Sequence, residues 1–174
     1  MLTLDFNHLL DYTDWERQKW RDPLRQQGDP VLKISVGSHG DGRFATVGDL
    51  VRHIFSAETR YVERLSGRPL SDTSVVPNDS MDALFEFGQC SRKSLKELIV
   101  SFPAEAWDRP REFTLMNFSL TVTPRKIILH VVLHETRHWA QLATLLRLNG
   151  IPGDFHGFLF SPVLGGELKQ EQVK

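Results

Sequence analysis

Residues 123–150 read TPRKIILHVVLHETRHWAQLATLLRLNG, and this stretch decides the fold. Thr123 is a good helix N-cap, and Pro124 stands at the first helical position, where its missing N–H costs nothing. Gly150 follows the last apolar residue, and Pro152 forbids continuation. A helix over 124–149 would be about 39 Å long at about 1.5 Å per residue. His130, His134 and His138 recur every four residues along it, which sets them in one slightly drifting row. Ile127 and Leu145 extend the row, and Val131 and Leu142 flank it. Arg125, Lys126, Thr136, Arg137, Thr144 and Arg147 gather on the opposite side. The row is therefore expected to face a core. Buried imidazoles need partners, and a metal ion is the one partner that accounts for several of them together. The competing reading is a set of core histidines bonded to carbonyls and waters, which is the commoner case for a lone histidine.

Outward from this helix the chain is punctuated as further helices. Residues 3–27 carry Phe6, Leu9, Leu10, Thr13, Trp20 and Leu24 near helical spacing, and Gly28-Asp29-Pro30 ends them. His8 and Trp15 in this segment read as a partly exposed histidine and a packing aromatic. Residues 31–44 form a connection, with a short extended piece in Val31–Val36 and a glycine-rich loop that leaves His39 solvated. Residues 46–65 form the second helix. Thr46 and Asp49 give its start signal, and Leu50, Ile54, Ala57, Tyr61 and Leu65 its apolar face. His53 falls on that face.

Residues 78–102 form the third helix, capped by Asn78 or Asp79, with Met81, Leu84, Phe85, Gly88, Leu95, Leu98, Ile99 and Phe102 on its buried side. Between Trp107 and Val122, Phe113, Leu115, Phe118, Leu120 and Val122 alternate with polar residues, the pattern of a short β-hairpin or extended crossover. The expected fold class is all-α: a four-helix bundle with that hairpin before the last long helix, over residues 1–174 as one domain. Residues 151–174 are expected to be a tail whose Phe155, Phe158, Leu159 and Phe160 pack on the bundle or on a second subunit, so a homodimer is an expectation to test. His156 is expected to be structural or exposed.

Composition narrows the function. A net charge of −1 gives no general pull toward nucleic acid or membranes. Cys90 is the only cysteine, has no ligand-spaced neighbour, and excludes an intrachain disulfide. No apolar run is long enough to span a bilayer and no signal peptide is seen, so a cytoplasmic setting is expected.

His134-Glu135-Thr136-Arg137-His138 matches His-Glu-x-x-His, which in zinc peptidases supplies two ligands and a general-base glutamate. The longer form of that motif needs glycine at 141 and histidine at 144, where this chain has Gln141 and Thr144. Glu135 also points about 100° away from His134, toward the edge of the polar face. A peptidase is the minor alternative.

A wider resemblance rests on Leu10-Asp11-Tyr12 with Trp15, on Leu50 to Glu58 with His53, and on His130 to Gln141. Together these segments resemble the DinB/YfiT-like family over roughly residues 5–150. The resemblance implies a bundle with a three-histidine site for a divalent metal such as zinc, nickel, iron or manganese. It implies His53, His134 and His138 as the ligands. His130, Gln141 and Glu135 are the candidates for neighbours that steer them, and His130 is either such a neighbour or unrelated to the metal. Many relatives carry Arg-Gly where this chain has Trp139-Ala140. The family further implies a transferase activity in which the metal activates a low-molecular-weight thiol toward a small-molecule electrophile. A metal-dependent hydrolase and a non-catalytic metal-binding stress protein are the other classes carried forward.

Overall fold

The computed structural model describes residues 5–40, 42–115, 117–152 and 157–165. Four helices, α1 (Phe6–Gln27), α2 (Val47–Leu65), α3 (Met81–Ser101) and α4 (Pro124–Leu148), pack as a bundle. Strands β1 (Arg111–Leu115) and β2 (Phe118–Val122) form the hairpin expected ahead of the last helix, antiparallel, with Arg111 opposite Val122 and Leu115 opposite Phe118. Helix α2 lies against both α3 and α4, and α1 against α4. No helix among the described residues is long and apolar enough to cross a membrane.

The helix ends follow local chemistry. Thr123 caps α4 by accepting from the Lys126 N–H, with Pro124 at its first position. Thr46 and Asp49 close a reciprocal capping box on α2. Helix α3 departs from expectation: its cap is Ser80, not Asn78 or Asp79. The Asn78 amide donates to Asp49 at 2.7 Å instead, tying the chain before α3 to the start of α2. That approach is close, since a Cβ on Gly48 would lie 1.8 Å from the Asn78 carbonyl oxygen. The connection over 31–44 forms two 3₁₀ turns, not an extended run, with an isolated β-bridge between Ser35 and Thr46.

The apolar interior falls into two clusters stacked along the bundle. One gathers Trp20, Leu24, Phe55, Leu84, Trp139 and Leu142; the other gathers Leu10, Val62, Leu95, Ile127, Val131 and Val132. Between them every helix turns a polar residue inward: Arg17 from α1, Glu58 from α2, Arg92 from α3 and Glu135 from α4, all buried. Of the tail, Phe158 rests against Tyr12 with ring centroids 5.0 Å apart, while Leu159 is exposed. Phe155 and His156 lie outside the described residues.

Candidate metal centre

Helices α2 and α4 face each other with His53 on one and His134 and His138 on the other. Their Nε2 atoms converge: His53 to His134 is 3.1 Å, and His138 to His134 is 3.1 Å. One nitrogen from each ring falls in a group compact enough for a single ion. His138 is buried, and His53 and His134 are half-buried.

The tautomer of His138 follows from its neighbours. The Gln141 amide group donates to the backbone carbonyl of His39, so its oxygen faces His138 Nδ1 at 2.8 Å. Nδ1 therefore carries the proton and donates, leaving the Nε2 lone pair aimed at His134. His134 Nε2 then has two ring nitrogens at 3.1 Å, and one proton can bridge only one of these contacts well. Burial, the other imidazoles and the Arg43 charge push His134 down to about 3; burial, His138, Arg43 and Arg60 push His53 down to about 4. Protonation is thus not how the rings satisfy one another near neutral pH. A cation shared by three neutral imidazoles meets every lone pair, so the residues present fit a divalent metal.

The surroundings are asymmetric. Phe44 covers one side, its ring 4.7 Å from His53 and 5.7 Å edge-on from His138. On the other side the His130 ring lies tilted, 5.5 Å from His134, and 5.4 Å edge-on from Tyr61. His130 is exposed, so the histidine row does not run through the core as expected: it grades from exposed at His130 to buried at His138. The helix simply turns the row inward, since successive fourth residues drift around the axis.

Glu135 also departs from expectation. It is 2% exposed and sits inside the bundle rather than at the edge of the polar face. Arg17 grips it through Nε at 2.5 Å and Nη2 at 2.9 Å, Arg92 through Nη2 at 2.6 Å, and Trp139 Nε1 donates to it at 3.1 Å. Glu58 completes the layer, accepting from Arg17 at 3.0 Å and Ser91 at 2.7 Å. Two guanidinium groups and two carboxylates cancel in charge and use each other as hydrogen-bond partners. A carboxylate held this way, turned about 100° around α4 from His134 and engaged by two arginines, is not placed to serve as a peptidase base.

The chain belongs to the DinB family, whose model matches residues 1–154. A comparison with curated proteins finds no significant match.

Proposed function

We propose that this DinB-family protein holds a divalent metal ion on the Nε2 atoms of His53, His134 and His138 and is a metal-dependent enzyme, activating a small thiol or water for attack on an electrophile. The observation that supports it most is the fixed tautomer of His138: Gln141 holds Nδ1–H, so Nε2 must face its neighbours as a lone pair. When bound, the ion supplies Lewis acidity that lowers the pKa of a coordinated thiol or water toward neutrality.

The chain's own residues set the conditions for that chemistry. Burial keeps the His53 and His134 imidazoles neutral and ready to bind. Gln141 orients His138, and the His39 carbonyl orients Gln141, a relay of the kind that fixes ligand geometry and basicity. Phe44 shields one side of the cluster from water. The half-buried edges of His53 and His134 leave the other side within reach of a small molecule. Imidazole donors suit zinc, nickel, iron and manganese, so the metal is to be determined by elemental analysis of protein purified without a histidine tag. Metal-loaded protein is expected to accelerate the reaction of cellular thiols with a bimane electrophile, and metal-free protein is not. Equal rates for the two forms across a panel of thiols would refute the activity.

A further inference from the structure

A cavity of about 220 Å³ opens between the hairpin and the exposed end of the histidine row. Phe113 of β1 and Leu120 and Val122 of β2 form an apolar wall, Tyr61 of α2 closes one side, and Lys126 and His130 of α4 enter from the other. Among the described residues no carboxylate lines it. His130 is the link to the candidate metal centre, because its ring is 5.5 Å from that of His134. Lys126 lies one turn farther away, so about 12 Å of helix separates it from His134.

Cationic side chains border this cavity. Arg64 lies 5.8 Å over the ring of Tyr61, which closes one side of the cavity. Arg60 follows His53 by seven residues, close to two turns along the same stripe of α2. Lys126 stands on the cavity side. Cations around an apolar cleft concentrate anions there. The volume lies below the about 300–1,000 Å³ of drug-sized sites, so the ligand is small.

We propose that this cavity seats the electrophile of the metal-dependent reaction, and that the electrophile is a small organic acid with an apolar or aromatic body, its carboxylate held by Lys126 and its body against Phe113, Leu120 and Val122. The assignment as electrophile rests on the function proposed above; the binding preference does not. A molecule anchored at Lys126 presents its far end to His130 and His134, where the activated nucleophile would meet it. The hairpin thereby acquires a role as the substrate wall of a site whose other half is helical.

Calorimetric titration with 3-phenylpropionate and its uncharged isostere 3-phenylpropionamide tests this, on metal-free and on zinc-loaded protein. The carboxylate is expected to bind about tenfold more tightly than the amide in both forms, as a charge-assisted contact gives. Lys126→Gln should remove that preference and leave amide binding unchanged. Leu120→Trp, which fills the cavity, should abolish binding of both probes, with circular dichroism confirming that each variant is folded. Equal binding of acid and amide by the wild-type protein, or a preference that survives in Lys126→Gln, would overturn the proposal. Carboxylate preference in a protein that binds no zinc would support the subsite while refuting the metal-dependent activity.

Discussion

Two polar clusters meet α2 and α4 near the same level of the bundle, and they differ in how their groups are satisfied. The inner one, Arg17, Glu58, Arg92 and Glu135, is closed in charge: opposite charges cancel and the carboxylates accept from arginines, Ser91 and Trp139, with Arg92 Nε left unbonded. The outer one, His53, His134 and His138, is open: three like nitrogens face one another with too few protons to bond them all. Buried polar groups that complete each other hold a fold together. Buried polar groups that do not are arranged for something else. The neighbours Glu135 and His134 belong to different clusters because successive helical residues point about 100° apart. The His-Glu-x-x-His string therefore joins a structural residue to functional ones.

If the comparison is right, breaking the inner layer should cost stability first. Glu135→Ala leaves Arg17 and Arg92 without their main anion in a dry interior, and is expected to lower unfolding free energy by about 3–5 kcal/mol in urea titrations. A loss under about 1 kcal/mol would show that the layer is not closed in this way.

The outer cluster should respond in affinity, not stability. Gln141→Ala frees the His138 ring and is expected to weaken metal binding by about 10–100-fold with a nearly unchanged urea midpoint. Unaltered affinity would remove Gln141 from the relay.

Glu16 offers a finer test at the margin of the inner layer. Burial, then the Glu135 charge, raises its carboxyl from 4.5 to about 8. Between those values the unfolded chain has released a proton that the folded chain keeps, so stability falls as pH rises from about 4.5 toward about 8. Glu16→Gln should flatten that decline and leave the variant more stable than wild type at pH 8 by at least about 1 kcal/mol. Parallel pH–stability curves for the two proteins would contradict it. The smallest effect belongs to His130→Ala, expected to change metal affinity by less than about tenfold, or 1.4 kcal/mol, because its ring is exposed beside the cluster.

The last helix could be read to within a residue of both ends because Thr123, Pro124 and Gly150 act locally. The hairpin was legible because alternation is a local signal too. The start of α3 was not, since Asn78 is drawn away by Asp49, a partner 29 positions earlier. The charged layer left a trace that helical periodicity can show: Arg17 stands on the stripe of Thr13, Trp20 and Leu24, and Arg92 on that of Leu84, Gly88 and Leu95. A charge on an apolar stripe calls for a partner on another helix, and which partner is a tertiary matter. Phe44 and the His39 carbonyl lie in a loop without periodicity, so their approach to the histidines could not be read from spacing.

The central claim is that three particular histidines hold one ion. Isothermal titration of zinc into the untagged protein and into single alanine variants tests it directly, with circular dichroism confirming each fold. One ion per chain is expected for the wild type, with loss of most affinity in His53→Ala, His134→Ala and His138→Ala, and near-wild-type binding in His39→Ala. Full-strength binding by His138→Ala, together with loss in His130→Ala, would contradict the account.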